Sequence, residues 1–162
     1  MDARDAFGYG ELMLRLRAPL ANEMTALTEL CLRSKAVWGY DQAFMEACRA
    51  ELTLTPRDLE TSRLQIAERD GTIVGVAQVS AADDTAHLEK LFIEPDVLRA
   101  GAGRLLFDWA LATARSLGAR TMIIEADPGA AAFYRRMGAT DDGVAPSASI
   151  PGRFLPRLRL NL

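Results

Sequence analysis

The middle of the chain constrains its fold more than any other part. Arg63–Glu68 and Thr72–Ser80 are rich in residues typical of strands, and Arg69-Asp70-Gly71 joins them. An Asp-Gly pair between two such stretches predicts a tight β-hairpin. Asp83-Asp84 marks the next turn, and His87–Ile93 predicts a third strand. Because strands joined by such short turns pair antiparallel, this region is predicted to form an antiparallel meander.

One strand and two helices are predicted before the meander. Polar and apolar residues alternate in Glu11–Arg17, which predicts a strand. Pro19 suits the first turn of a helix whose apolar positions continue to Cys31. Asp41 is predicted to cap a second helix that ends near Leu52, and a turn with a short link leads on to the meander.

Helices and strands alternate after the meander. A helix is predicted from Gly101 to Leu117, and Gly118 has the position of the residue that follows a helix C-terminus. Thr121–Glu125 predicts a short buried strand, Pro128–Met137 a helix, and Phe154–Leu162 a final strand. This order of elements predicts an α+β fold with helices packed on one mixed sheet.

Length and composition indicate one globular domain spanning residues 1–162. The chain has 162 residues, of which 49% are hydrophobic and 25% charged, the usual range for a single soluble domain. Residues 1–10 carry no period, and we expect a flexible lead there. They also lack the basic and apolar regions of a signal peptide, and no apolar stretch is long enough to span a bilayer. A cytoplasmic protein without membrane association is therefore expected.

Charge and cysteine patterns argue against nucleic-acid and metal binding. The net charge is −3, from 19 basic and 22 acidic residues that are interleaved along the chain. A general nucleic-acid binder would show a basic excess, because its affinity comes largely from contacts to phosphates. Cys31 and Cys48 form no CxxC pair and have no histidine nearby in sequence. We therefore expect two reduced core thiols and no metal site.

Leu91–Arg104 is the segment that points to a ligand. A strand ends there, Pro95 turns the chain, and Gly101 and Gly103 open a helix. Free N–H groups at a helix N-terminus bind phosphate, and glycines let the backbone approach it closely. Arg99 and Arg104 could add charge-assisted hydrogen bonds. The glycines could also serve only to start the helix, but the neighbouring strand, proline and arginines favour anion binding.

A dinucleotide-binding Rossmann unit does not explain this segment. That motif requires a third glycine, where this chain has Leu106, and it opens a βαβ unit. Here the glycines follow an antiparallel hairpin two-thirds of the way along the chain.

Two motifs together resemble the GNAT superfamily of acyl-CoA-dependent N-acyltransferases. In that family a strand ending in V-x-P leads into a [QR]-x-x-G-x-[GA] loop, and Ile93-Glu94-Pro95 and Gly101-Ala102-Gly103 match its spacing. The later family segment N-x-x-A-x-x-F-Y-x-x-x-G corresponds to residues 127–138, which include Phe133-Tyr134. The chain departs from the pattern at Leu98, where Gln or Arg is usual, and at Asp127, where Asn is usual.

The resemblance implies a mixed, mostly antiparallel sheet flanked by about four helices. It also implies acetyl-CoA as co-substrate, with the loop amides holding its pyrophosphate, and no metal. Dimers are common among similar proteins, so a homodimer is compatible with it. The implied coenzyme contacts are Leu91, Phe92, Ile93, Leu98, Arg99, Ala100, Gly101, Ala102, Gly103, Arg104, Asp127, Ala130 and Phe133.

Acyl transfer to an amine needs a base and gains from an acid. Strand periodicity predicts His87, Glu89, Leu91 and Ile93 on one face. His87 and Glu89 match family positions for a base, and we favour Glu89 because it lies nearer the loop. An exposed histidine and a solvated carboxylate are the alternatives. Tyr134 matches the family's general acid; from periodicity alone it would be part of a buried helix stripe.

The acceptor amine is not identified by the sequence. Trp38 and Tyr40 lie in the break between the first two helices, where the family places acceptor-binding residues; they could equally be a packing plug. A small amine, amino acid, antibiotic, peptide N-terminus or protein lysine all remain open. The sequence thus predicts an N-acetyltransferase that transfers the acetyl group directly to an amine. The alternatives are a catalytically silent coenzyme A sensor or interaction module, and a nucleotide-phosphate binder.

Overall fold

A seven-stranded sheet with five α-helices forms the described part of the chain. The computed structural model describes residues 14–98 and 100–162. The lead at residues 1–10, the start of the first strand and Arg99 lie outside the described residues. The elements are β1 (Leu14–Arg17), α1 (Met24–Ala36), α2 (Gln42–Leu52), α3 (Asp58–Thr61), β2 (Arg63–Arg69), β3 (Thr72–Ala82), β4 (Thr85–Ile93), α4 (Ala102–Ser116), β5 (Thr121–Glu125), α5 (Ala131–Arg136), β6 (Thr140–Pro146) and β7 (Phe154–Asn161).

The sheet is antiparallel except at its centre. Its strand order is β1-β2-β3-β4-β5-β7-β6, so the predicted meander β2-β3-β4 and the mixed α+β sheet are both confirmed. The parallel pair is β4 with β5, and only three residue pairs join it, from Thr85 opposite Thr121 to His87 opposite Ile123. Beyond His87 the two strands separate. This separation makes a gap in the middle of the sheet.

The helices cover both faces of the sheet. On one face α1 and α2 bury Leu27, Leu30 and Cys48 against strand residues such as Ile66 and Phe92. On the other face α4 and α5 pack on the sheet around a second core that contains the largest buried residues of those helices and of β5 and β7: Phe107, Tyr134, Met122, Ile124 and Leu158. The gap between β4 and β5 therefore opens toward a different helix pair on each face.

Local signals set the ends of several helices as the sequence predicts. The carboxylate of Asp41 accepts a hydrogen bond from the N–H of Phe44 at 2.8 Å and caps α2. Gly118 has a φ of 88°, the left-handed conformation that ends α4 without a Cβ penalty. Within the described residues, every helix is too short or too polar to cross a bilayer.

The predicted face of β4 is wrong at its C-terminal half. Gln78 pairs with Lys90 and Val79 pairs with Leu88, so Glu89 is an extra residue in a β-bulge. The bulge reverses the alternation that follows it. Leu91 packs on the α4 side with Leu88, whereas His87 and Glu89 do not share that face with Leu91 and Ile93.

Four further elements differ from the sequence prediction. Pro19 precedes the first helix instead of lying in its first turn, because a 3₁₀ turn at Ala21–Glu23 comes before α1. The link before the meander contains a short helix, α3, and α5 begins at Ala131 rather than Pro128. The polar segment Thr140–Pro146 forms β6, an edge strand that pairs only with β7 and that the sequence pattern misses. Its register shifts between Asp141 and Val144, and all its residues except Ala145 are exposed. An exposed, bulged edge strand has no alternating pattern to detect.

Candidate active site

The gap between β4 and β5 holds a cavity of about 630 Å³. One wall is β4 from Leu88 to Ile93, and the opposite wall runs from Ile124 to Asp127 at the end of β5. The start of α4 and the side of α5 close one face, and the ends of α1 and α2 close the other. A ligand in this cavity can therefore contact helices on both faces of the sheet.

The start of α4 forms one end of the cavity. Pro95 opens a 3₁₀ turn that ends at Val97, and Gly101 has a φ of 92° as the N-cap residue of α4. This helix has 15 residues, and the N–H groups of its first turn lack partners within the helix. Gly101, Gly103 and Arg104 all line the cavity. The geometry suits an anionic group, because helix N-termini carry partial positive charge.

The side chains that would otherwise block this end are absent. A Cβ on Gly101 would have no atom within 4 Å, and one on Gly103 would lie 3.6 Å from the ring of Phe133. Leu98, at the position where the resembled family has Gln or Arg, is half exposed and lines the cavity without offering a polar group. Among the described residues at this end, the main-chain amides and Arg104 are therefore the groups that could recognise an anion.

Tyr134 lines the cavity from the α5 side. It is 6% exposed and packs with the rings of Phe107 and Phe133, whose centroids lie 5.8 and 5.3 Å from its own. Burial raises the pKa of its hydroxyl above the ordinary value of 10. The phenol therefore stays protonated at neutral pH and can donate a proton.

The two base candidates on β4 have different surroundings. Glu89 lies in the bulge and lines the cavity, and its carboxylate accepts a hydrogen bond from the Ser80 hydroxyl at 2.6 Å. His87 is exposed and pairs with Ser80 and Ile123 in the sheet. It lies before the point where the strands separate and is not among the cavity-lining residues.

The aromatic residues after α1 occupy two positions. Trp38 lines the cavity mouth and is 48% exposed. Its ring lies against Gly129, where a Cβ would come within 2.7 Å of it. Tyr40 does not line the cavity; its ring stacks on Phe44 with a centroid separation of 4.0 Å.

A hydrogen-bonded cluster in the cavity wall involves Asp127. Its carboxylate accepts a hydrogen bond from the Tyr40 hydroxyl at 2.6 Å, and Lys35 and Arg153 lie 3.5 and 3.6 Å from the same oxygen. Its second oxygen accepts from the N–H of Gly129 at 3.1 Å. Asp127 thus ties the turn before α5 to the end of α1 and to the segment before β7.

The cluster changes the acidity of Tyr40. Burial, followed by the hydrogen bond to the Asp127 carboxylate, raises the pKa of Tyr40 to about 12. Arg153 donates to the same hydroxyl at 2.6 Å and lies 5.1 Å from the centre of its ring. Tyr40 therefore remains a neutral hydrogen-bonding residue that positions its neighbours.

Five charged residues of the cavity lining were not among the predicted site residues; one of them is Arg136 on α5. Both lysines of the chain line it: Lys35 from α1 and Lys90 from β4, and the latter donates to the Gln78 side-chain oxygen at 3.0 Å. Glu51 from the end of α2 and Glu125 from the end of β5 also line it. A strand-end or helix-end glutamate gives no distinctive sequence signal.

The implied coenzyme contacts are mostly brought together. Ala100 and Ala102 do not line the cavity, and Ala102 is buried in the core between α4 and β3. Arg99 lies outside the described residues. The predicted contacts that do line the cavity are Leu91, Phe92, Ile93, Leu98, Gly101, Gly103, Arg104, Asp127, Ala130 and Phe133.

Comparison with known families decides the relationship of the chain. The family model described as "Acetyltransferase (GNAT) family" matches residues 25–139, most of the chain and both motifs. The chain belongs to the GNAT acetyltransferase family. The matched region starts in α1 and ends after α5, so it contains the whole GNAT cavity wall from β4 to α5.

Solved structures have the same GNAT fold. A GCN5-related N-acetyltransferase from Rhodopseudomonas palustris is 22% identical with a TM-score of 0.76, and the match covers 91% of this chain and 95% of that one. The PaiA N-acetyltransferase from Thermoplasma acidophilum, solved with coenzyme A, is 14% identical with a TM-score of 0.74, covering 92% and 99%. The ribosomal-protein-S18-alanine N-acetyltransferase from Escherichia coli is 17% identical with a TM-score of 0.68, covering 92% and 94%. No curated protein matches the chain in sequence.

Proposed function

We propose that this GNAT domain transfers an acetyl group from acetyl-CoA to an amine by direct attack within a ternary complex. The observation that carries the proposal is the cavity between β4 and β5, which has the N-terminus of α4 at one end and Tyr134 in its wall. Family membership supports acyl transfer. The choice of acetyl group and amine acceptor rests on the resemblance and on the chemistry below.

The residues at the α4 end fit the diphosphate of coenzyme A. The first turn of α4 offers main-chain N–H groups, and the glycines there add no side chain to block approach. Arg104 on α4 and Arg136 on α5 line the same cavity and supply positive charge. When bound, acetyl-CoA supplies the thioester on which the amine acts.

Tyr134 is proposed as the general acid. The thiolate leaving group departs more easily when it receives a proton, and a positioned acid typically contributes about 10²- to 10⁴-fold to the rate. Burial keeps the phenol protonated, and Tyr134 lies on the α5 side of the gap. A main-chain N–H of β4 near Leu91–Ile93 is proposed to stabilise the oxyanion.

The acceptor is proposed to enter from the α1–α2 side. Trp38 lies at the cavity mouth there and is proposed to contact it, whereas Tyr40 would act through Asp127 by holding the wall in place. The proposed acceptor is a small-molecule or peptide amine. The PaiA enzyme and the alanine N-acetyltransferase named above show only that the same fold occurs in differently named N-acetyltransferases.

Binding and turnover test the proposal separately. Calorimetry with acetyl-CoA is expected to give saturable binding, and release of free thiol in the presence of an amine panel is expected to show turnover. Tyr134→Phe is expected to lower kcat about 10²- to 10⁴-fold with an unchanged Kd for acetyl-CoA.

Three outcomes would contradict the proposal. Failure of coenzyme A to bind would refute the cavity assignment. Binding without turnover, together with no effect of Tyr134→Phe, would instead identify a silent coenzyme A module. ATP competing better than coenzyme A would indicate a nucleotide-phosphate site.

A further inference from the structure

Glu125 ends β5 in the region where the two halves of the sheet have separated. Ile123 is the final β5 residue paired with β4, so Glu125 lies two residues into the gap. It is exposed and lines the cavity. This position puts a carboxylate on the wall opposite β4, where acyl transfer needs a proton acceptor.

The side chain of Glu125 lies on the acceptor face of the sheet. Met122 and Ile124 pack into the α4–α5 core, and alternation along a strand puts Glu125 on the opposite face, toward α1 and α2. Tyr134 belongs to the α4–α5 core. The acid and this carboxylate therefore approach the gap from opposite faces, as transfer between a thioester and an amine requires.

Glu125 is also less constrained than Glu89. The Glu89 carboxylate is held by the Ser80 hydroxyl. No described residue makes a hydrogen bond or ion pair to the Glu125 carboxylate, and Arg157, directly opposite it on β7, pairs with Asp142 at 3.3 Å. The carboxylate of Glu125 is thus available to an incoming amine.

We propose that Glu125 is the general base that accepts the proton of the acceptor amine. The inference rests on the acetyl transfer proposed above. As the amine nitrogen forms its bond to the thioester carbon, Glu125 takes the proton that nitrogen loses. When the carbon–sulfur bond breaks, Tyr134 gives its proton to sulfur. One proton then returns from Glu125 to Tyr134 through solvent, and the products are an amide and free coenzyme A.

Glu125→Gln tests this role, because the amide keeps the shape of the side chain and cannot accept the proton. We expect kcat/KM to fall about 10²- to 10⁴-fold with an unchanged calorimetric Kd for acetyl-CoA. The pH profile of kcat/KM should also change in the variant, because the attacking amine then loses its proton only to solvent. Hydrazine, an amine of low basicity, should lose less activity than an alkyl amine, because it needs less help to lose its proton.

Glu46→Gln on α2 is the matched control, since its side chain is 63% exposed and lies outside the cavity lining. The kinetics of this variant should equal those of the unaltered protein.

Several ionisable groups besides Glu125 bear on the pH profile of kcat/KM. The other groups around the cavity are Arg157 opposite Glu125 on β7, Asp127 after β5, Glu89 and Lys90 on β4, Lys35 on α1, Glu51 on α2, and Arg104, Arg136 and Tyr134 on α4 and α5.

The result separates this inference from the function on which it rests. If the unaltered protein releases no thiol from acetyl-CoA with any amine of the panel, the proposed function and the role of Glu125 both fail. If it is active and Glu125→Gln has the same kcat/KM and pH profile, only the assignment of Glu125 is wrong. A loss confined to Glu89→Gln would overturn it in favour of the β4 carboxylate.

Discussion

Gly75 on β3 sets how closely the start of α4 packs on the sheet. A Cβ at this position would lie 2.7 Å from Cδ1 of Ile93 and 2.9 Å from Cδ1 of Leu106. It would also lie 3.3 Å from the carbonyl oxygen of Phe92. Ile93 is 9% exposed and Leu106 is fully buried, so Leu106 has no space to withdraw, and Ile93 could move only toward the cavity that it lines.

We predict that Gly75→Ala destabilises the protein. Adding a methyl group to a tightly packed core costs about 1–3 kcal/mol, and replacing glycine within a strand returns about 0.5–1 kcal/mol. The net loss in the free energy of unfolding should lie within about 0–2.5 kcal/mol. For a chain of this length each kcal/mol corresponds to about 2–4 °C in Tm.

A double-mutant cycle with Ile93→Val isolates the cause. Valine lacks the Cδ1 atom that makes the shortest contact, and alone it should cost about 0.5–1.5 kcal/mol. If the steric argument is correct, the combined variant will be less destabilised than the sum of the single variants by at least about 0.5 kcal/mol. Urea unfolding followed by circular dichroism measures all four proteins.

Ile123→Val supplies the matched control. Ile123 is a buried isoleucine on β5 and is not among the atoms that a Cβ on Gly75 would meet. Its combination with Gly75→Ala should be additive within about 0.5 kcal/mol. The reasoning is refuted if Gly75→Ala stabilises the protein, or if Ile93→Val and Ile123→Val give the same coupling.

Two other predictions concern the α4 end of the cavity and the response to acid. Gly101→Ala should lower the free energy of unfolding by about 1–2 kcal/mol, because alanine resists a positive φ. It should also weaken coenzyme A binding in calorimetry. Gly103→Ala should weaken coenzyme A binding with stability unchanged, since its Cβ meets Phe133 at an ordinary 3.6 Å. If both variants bound coenzyme A with the affinity of the unaltered protein, this assignment would be contradicted. The hydrogen bond from Arg17 lowers the pKa of Glu23 to about 2, so stability due to this carboxylate is present above pH 4.5 and is lost as pH falls toward 2. Glu23→Gln should therefore be less stable at pH 7 by about 1 kcal/mol, and urea titrations should show the difference vanish near pH 2; a constant difference would argue against the ion pair.

Sequence patterns predicted elements whose ends depend on their own residues. The bounds of β5 agree with the apolar run Thr121–Glu125, and α2 starts where Asp41 caps it. The start of α5 was misplaced because Asp127 accepts the N–H of Gly129 and forms a separate turn first. That turn depends on a side chain whose other contacts come from distant parts of the chain.

The site depended on features that no local pattern contains. Alternation placed Glu89 and Leu91 on one face, and the bulge opposite Gln78 and Val79 separated them. The separation of β4 from β5 depends on two strands that are distant in sequence. This separation is what puts Glu125 in the wall of the cavity. The Tyr134 motif was recognisable from the resemblance, whereas periodicity by itself indicated a core residue.

The short junction at the centre of the sheet also affects how the two halves of the protein are held together. Only three residue pairs join β4 to β5, so main-chain hydrogen bonds contribute little across this line. Packing of side chains from α4, α5 and both strand sets provides the remaining attachment. A ligand that contacts both β4 and β5 in the gap would therefore hold the two halves of the sheet together. Its binding should slow amide hydrogen exchange at the ends of β4 and β5.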